Sequence, residues 1–171
     1  LASVLDGGSS SRFSRELVRG KRVAASAGAS YSAFTRLPGM LLIDGIPAKG
    51  RSVAELEQAL LAQIDRLRED PVAEDELERI RTQLIAAKVY EKDSVYAQAM
   101  QLGRLETVGL GWPLVDEYVE HLSRVTPEQV RSVARKYLTE NNLTVATLDP
   151  QPIDADAPRT SAEGGSHGHI R

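Results

Sequence analysis

The sequence predicts an α+β fold in which an antiparallel sheet is backed by a layer of helices. Two strand-like segments come early and are separated by a tight turn, and several helical segments follow without a strand between them. Strands and helices that are segregated in this way favour an antiparallel sheet over the alternating order of a parallel one. A β-branched segment at 143–148 adds one more expected strand.

Composition sets the first limits on function. The chain has 171 residues, of which 42% are hydrophobic and 26% are charged, and its net charge is −3. These values are ordinary for a globular domain, and no basic excess points to nucleic acid. The lack of cysteine excludes disulfides, thiolate zinc sites and a cysteine nucleophile. No apolar run reaches the roughly 18 residues that a membrane span needs.

The opening stretch 5–34 organises the expected fold. A Gly-Gly-Ser loop leads into a short basic helix, and the helix leads into a strand with two-residue alternation. The turn 36–39 and the apolar strand 40–46 complete an antiparallel hairpin. Small side chains predict close packing over one strand face, which comprises Val23, Ala25, Ala27, Ala29, Tyr31 and Ala33.

The helices after the hairpin are marked by caps and breaks. A capping box at Ser52–Glu55 predicts a helix that ends near Pro71. A second helix begins near Ala73, and the polar run 91–94 predicts a break before a third helix over 95–106. The apolar side chains expected to point inward on that third helix are Tyr96, Met100 and Leu105.

Two more helices are predicted before the last strand. Pro113 suits the first turn of one, and Thr126-Pro127-Glu128-Gln129 is a start signal for the other. The last strand, 143–148, is expected to return to the sheet of the hairpin. From Pro150 onward the composition predicts a disordered tail.

No local motif predicts a reaction centre. His121 lies within a helix and has no second histidine three or four residues away, while His167 and His169 belong to the tail. The acidic run 74–78 is interpreted as a helix start, and the Gly-Gly-Ser loop as a turn rather than an anion cradle. A basic patch of Arg15, Arg19, Lys21 and Arg22 is either a solvated helix face or a site for an acidic partner.

The order of several segments resembles one family. The segments are Leu5–Phe13 with Glu16-Leu17, then Glu76–Leu84, Gly103–Glu106 and Val125–Leu138. Together they resemble a lobe of the pitrilysin/insulinase-type zinc metallopeptidases, which include the mitochondrial processing peptidases and their bacterial relatives. The resemblance implies two similar lobes that close around a peptide, the first of which carries a zinc motif, HxxEH.

The sequence lacks HxxEH, so it resembles the second, metal-free lobe. The resemblance implies a lobe over 1–149 whose first strand is missing, followed by the tail 150–171, and we expect the sequence to be a fragment. It implies no cofactor in this chain and zinc in the other lobe of an active parent. The partners it implies are a peptide or protein substrate, the N-terminal lobe and a related subunit in a homo- or heterodimer. Exported relatives favour the periplasm, with the cytoplasm as the alternative.

Active relatives often present an arginine and, seven residues later, a tyrosine to the substrate. The resemblance puts these positions at Val18 and Ala25, neither of which matches, and Arg19 with Ser26 lies one residue late. We therefore expect a non-catalytic lobe that walls the peptide chamber and supports assembly of the subunits. The alternatives are a structural subunit of the same fold without proteolysis, and an unrelated α+β binding module. The two-lobed interpretation requires one antiparallel sheet that joins 23–46 to 143–148.

Overall fold

The sheet is an antiparallel hairpin. The computed structural model describes residues 1–150, in which strand β1 spans Ala24–Tyr31 and strand β2 spans Leu41–Pro47. The two strands form a two-stranded sheet whose register pairs Gly28 with Asp44. The predicted hairpin and its direction are confirmed.

Helices account for most of the remaining described chain. The short helix α1 and a π-helix precede the hairpin, and five α-helices and a 3₁₀ turn follow it, as the sequence order predicted. Their bounds are α1 Ala2–Leu5, the π-helix Phe13–Gly20, α2 Val53–Glu69, α3 Glu74–Glu91, α4 Val95–Val108, α5 Leu114–Ser123, α6 Pro127–Tyr137 and the 3₁₀ turn Glu140–Asn142.

Local chemistry sets the predicted helix starts. Ser52 Oγ accepts from the Glu55 amide at 3.2 Å, and the Glu55 carboxylate accepts from the Ser52 amide at 2.7 Å. Thr126 and Gln129 form the same reciprocal box at the start of α6. Each box satisfies amide groups that a helix start otherwise leaves without partners.

One main core lies between the hairpin and the helices. Its centre consists of side chains with no measurable exposure, such as Phe13 and Leu17 on the π-helix and Leu67 on α2. Because the buried members come from both ends of the described chain, burial of apolar surface joins α1 and α6 to the same unit. The buried members of this core are Val4, Leu5, Phe13, Leu17, Val23, Ala24, Ala29, Leu56, Ile64, Leu67, Val72, Leu77, Ile80, Val130 and Ala134.

The predicted basic helix is a π-helix. The Lys21 amide donates to the Glu16 carbonyl at 2.7 Å, which is the wider i to i−5 spacing. Gly20 fits this turn because a Cβ there would lie 3.0 Å from the Arg15 carbonyl oxygen. The tight approach favours the residue without a side chain.

The predicted alternation of the first strand is wrong at Ala25. The register shifts between Ala24 and Ser26, so β1 carries a bulge. Val23 and Ala24 are both buried and Ala25 is exposed, although the uninterrupted alternation placed Ala25 with Ala27. Because the bulge adds one residue to β1, the side chains that precede it lie on the opposite face from the one that uninterrupted alternation predicts.

The predicted strand at 143–148 is also wrong. Leu143 has an extended backbone, with φ −95° and ψ 132°, but the described sheet contains only the hairpin. A strand needs a free neighbouring edge, and on the outer edge of β1 the Ala29 amide donates instead to Asp6 Oδ2 at 3.3 Å. The expected sheet that joins 23–46 to 143–148 is therefore absent from the part of the chain that the structure describes.

The side chains of α4 face differently from the prediction. Leu105 is fully buried, as expected, whereas Tyr96 and Met100 are 75% and 56% exposed. Their α4 surface has no covering element among residues 1–150, which is why the apolar pattern alone misled. The predicted disordered tail, 150–171, falls outside the described residues except for Pro150.

A glycine substitution next to α1 tests how closely the backbone packs there. A Cβ at Gly7 would lie 2.3 Å from the Ser3 carbonyl oxygen. The backbone of Gly7 and the backbone of Ser3 cannot easily move apart to relieve this contact. We expect Gly7→Ala to lower the free energy of unfolding by about 2–3 kcal/mol, as overpacking does. The measurement is urea denaturation followed by circular dichroism.

Gly103→Ala is the matched control. Gly103 lies within α4 and a Cβ there would meet open space. Alanine should therefore raise the free energy of unfolding by about 0.5–1 kcal/mol through helix propensity. Similar effects of the two substitutions would contradict the close approach at Gly7.

Candidate functional site

The candidate site is the uncovered face of the hairpin. On the opposite face α2 packs against β2, with Leu56 Cδ2 only 3.1 Å from the place of a Cβ on Gly45. On the uncovered face, which we call the outer face, Leu42 and Ile46 are 50% and 62% exposed. The residues of the outer face, in cross-strand pairs, are Ser26 with Ile46, Gly28 with Asp44, and Ser30 with Leu42.

The positions singled out by the sequence lie in different environments. Val18 is partly buried and packs against the core, while Ala25 is exposed at the bulge of β1. Neither side chain can ionise or form a hydrogen bond. Beside them, Arg19 donates to the Ser9 carbonyl oxygen and Ser26 lies on the outer face.

The sequence motifs did not point to the outer-face pair of Gly28 and Asp44. Both residue types are depleted in strands, so their presence at the middle of two strand-like segments was an available signal. Only the register shows that the two residues are directly opposite each other.

A nearly buried ion pair fixes the start of the π-helix. Arg12 donates to Glu76 through Nε at 3.1 Å and through Nη2 at 2.8 Å. The side chains are 7% and 11% exposed. This two-pronged geometry ties the π-helix to the first turn of α3 and fixes its orientation.

A second polar network ties the π-helix to α2. Glu16 Oε2 accepts from Gln63 Nε2 at 2.9 Å and from Arg66 Nη1 at 2.5 Å, and Oε1 accepts from Arg15 at 3.1 Å. Burial by itself raises the pKa of Glu16, but the hydrogen bonds from Gln63 and Arg15 and the charge of Arg66 outweigh it. The pKa of Glu16 is therefore lowered from its usual value.

Two of the four residues in the predicted basic patch form contacts within the chain. Arg15 pairs with Glu16, and Arg19 is held by Ser9. The Gly-Gly-Ser loop closes as a turn, because the Ser11 amide donates to the Gly8 carbonyl at 3.0 Å. The turn interpretation of that loop is confirmed.

Surface depressions formed by residues 1–150 include two that lie beside helices. One depression, of about 310 Å³, lies between the π-helix and α3. Its three arginines are balanced by three carboxylates, so the depression carries no excess of positive charge. The residues that line it are Arg12, Arg15, Arg66, Asp70, Pro71, Ala73, Asp75 and Glu76. The other, of about 290 Å³, lies beside the exposed Trp112 and Leu102.

The described residues do not fit a metal centre. No group of three or more His, Cys, Asp or Glu side chains within residues 1–150 could hold a metal ion. His121 is exposed on α5. The helices of the same range include none that is long and apolar enough to cross a membrane.

The family is decided by the first half of the chain. Residues 1–84, which hold the π-helix, the hairpin and α2, match the family model described as the Peptidase M16 inactive domain. Over this segment the chain belongs with the peptidase M16 inactive domains. It is therefore a non-catalytic lobe of the kind that the resemblance implied, and this part of the prediction is confirmed. No curated protein matches the sequence significantly.

Solved structures share the fold of this M16 inactive domain. The inactive peptidase domain of a provisionally assigned zinc protease from Bordetella parapertussis aligns with a TM-score of 0.73 at 22% identity, covering 90% of this chain and 82% of that one. A provisionally assigned zinc protease from Bordetella pertussis Tohama I gives 0.71 at 22% identity, covering 82% and 77%. These likenesses confirm the α+β fold class.

A longer relative shows how much of a whole protein such a domain spans. A protease from Helicobacter pylori aligns with a TM-score of 0.73 at 20% identity, covering 82% of this chain but only 34% of its own. The chain thus spans about a third of the length of that protein.

The Glu16 network predicts a pH dependence of stability. The folded-state pKa lies below the usual 4.5, so the stabilisation is fully present above pH 4.5 and is lost as the pH falls through the folded-state pKa. We expect Glu16→Gln to lower the free energy of unfolding by about 1 kcal/mol at neutral pH. The difference from wild type should shrink as the pH falls from neutral to acidic values below the usual pKa.

The measurement is chemical denaturation across that pH range. Glu117→Gln is the control, because Glu117 is exposed on α5 and its carboxylate has no hydrogen-bond or ion-pair partner among residues 1–150. A difference for Glu16→Gln that does not change with pH would contradict the role given to its charge.

The Arg12–Glu76 pair predicts a larger effect. Glu76→Gln leaves the nearly buried Arg12 charge without its counterion, so we expect a loss of about 3 kcal/mol in the free energy of unfolding. Replacing both partners, Arg12→Met with Glu76→Leu, should cost less than Glu76→Gln alone. A double-mutant cycle of Arg12→Met, Glu76→Leu and the double variant, measured by urea denaturation, gives the coupling energy of the pair. Additive effects of the two substitutions would contradict direct coupling.

Proposed function

We propose that this M16 inactive domain walls the peptide chamber of a zinc peptidase subunit and supports assembly of that subunit. Zinc and the catalytic residues would belong to another lobe of the parent, the one that carries HxxEH. The domain itself would bind and orient an extended peptide without taking part in the chemistry. This proposal joins the family match to the surfaces that the domain leaves uncovered.

The main support for the proposal is that only one face of the hairpin is packed against the rest of the described chain. Its inner face is packed by α2 and the core, while the outer face has no covering element within residues 1–150. Leu42 and Ile46 are half exposed or more on that face. Exposed aliphatic side chains on a sheet face provide a surface on which an extended chain can lie.

The apolar side of α4 supports the assembly role. Val95, Tyr96 and Met100 are 81%, 75% and 56% exposed. A group of large apolar side chains on one surface typically marks a protein interface. We propose that this α4 surface contacts the N-terminal lobe or a related subunit.

Val18 and Ala25 bear on the choice between the two candidate functions. We propose that they occupy the positions at which active relatives present an arginine and a tyrosine, so that this lobe offers the substrate no polar group there. The partly buried Val18 and the exposed Ala25 at the bulge are consistent with that loss. The same loss favours the second candidate, a structural subunit without proteolysis, and a parent with no HxxEH would support it.

Paired charge insertions test the two surfaces separately. Ile46→Glu should weaken binding of a short fluorescein-labelled peptide, measured by anisotropy, about tenfold, because it disrupts the outer face. Met100→Glu is the matched control of similar exposure and should leave peptide binding unchanged.

In an association experiment the two variants should show the opposite pattern. Met100→Glu should weaken association with the N-terminal lobe or the related subunit in analytical ultracentrifugation, whereas Ile46→Glu should not. Failure of the wild-type chain to bind any extended peptide would overturn the chamber-wall proposal.

A further inference from the structure

The middle of the hairpin pairs two residues that strands disfavour. Gly28 in β1 lies directly opposite Asp44 in β2. Glycine in a strand loses packing and conformational entropy, and aspartate is depleted in strands. Two such residues in one cross-strand pair weaken the hairpin, and a glycine within a strand often marks the close approach of a ligand or another backbone.

The Asp44 carboxylate lies over the backbone of Gly28. A Cβ at Gly28 would come within 2.9 Å of Asp44 Oδ1 and 3.3 Å of Oδ2. The missing side chain therefore makes the space in which the carboxylate rests. The charge is held above the strand pair on the outer face instead of extending beyond its edge.

Asp44 also differs from the other carboxylates near the hairpin. Asp6 accepts from the Ala29 amide, and Glu16 and Glu76 are engaged by arginines. Asp44 is exposed, and its carboxylate has no hydrogen-bond or ion-pair partner among residues 1–150. Its negative charge is available to a ligand.

The neighbours of Asp44 suit a long basic side chain. Leu42 and Ile46 precede and follow Asp44 by two residues on the same face and are 50% and 62% exposed. Aliphatic walls beside a carboxylate match the methylene stem and charged head of lysine or arginine. A charge that served only to keep the sheet face soluble would not need glycine opposite it.

We propose that Asp44, resting over Gly28, is a subsite for a lysine or arginine side chain of an extended peptide on the outer face. The inference deepens the proposed function and rests on it, because it names the side chain that the chamber wall selects. The occupant is a peptide segment with a basic residue, as the charge of Asp44 and its aliphatic neighbours require.

The test compares matched peptides on the intact 171-residue chain. The probes are fluorescein-labelled peptides identical except for one central residue: arginine, lysine or citrulline, the last having the shape of arginine without its charge. We expect the arginine and lysine peptides to bind about fivefold more tightly than the citrulline peptide, as one exposed ion pair allows. The preference should fall at high salt.

Two variants separate charge from position. Asp44→Asn should abolish the preference because it removes the charge. Gly28→Ala keeps the charge but places a Cβ against the carboxylate, so it should reduce the preference. Asp116→Asn is the control, because Asp116 is exposed on α5 and should leave the preference intact.

The outcomes distinguish this inference from the proposed function. Equal binding of the arginine and citrulline peptides to the wild-type chain would overturn the subsite and leave the chamber wall standing. A preference that survives in Asp44→Asn would overturn the subsite as well. If no peptide binds, both proposals fail.

Discussion

The packing and ion pairs that hold the π-helix against α2 and α3 are the constraint on which the other features depend. Phe13 and Leu17 are fully buried on one side of this helix. Next to these apolar side chains, Arg12 binds Glu76 of α3, and Glu16 binds Gln63 and Arg66 of α2. Apolar burial supplies the stability, and the directional ion pairs fix the orientation in which the π-helix delivers the chain into β1.

Holding β1 in that position leaves a hairpin with two unlike faces. The small residues Ala29 and Gly45 let α2 and the core approach the inner face closely. The outer face keeps exposed aliphatic groups and a carboxylate without a partner in the described part of the chain. Such a face suits the proposed role in peptide binding, and residues 1–84 match the M16 inactive domain.

The predictions from sequence succeeded where short-range chemistry decides the structure. The capping boxes at Ser52 and Thr126 act within a single helical turn, so their residues identify the helix starts. The sheet expected to join the hairpin to 143–148 failed, because pairing depends on an edge far away in sequence. The two-lobed interpretation required that sheet, and the described structure does not meet the requirement. The family assignment rests instead on the match of residues 1–84. The exposure of Tyr96 likewise depends on which elements surround α4.

By itself, the sequence determined the α+β class, the hairpin, the helix starts and the resemblance to a metal-free peptidase lobe, because these follow from side-chain periodicity, capping chemistry and motif order. The tertiary structure decided the wide turn ending at Gly20, the bulge that exposes Ala25 and the pairing of Gly28 with Asp44. Each of these depends on which backbone atoms meet across elements, and a single-residue shift, which periodicity does not record, changes all of the contacts that follow it.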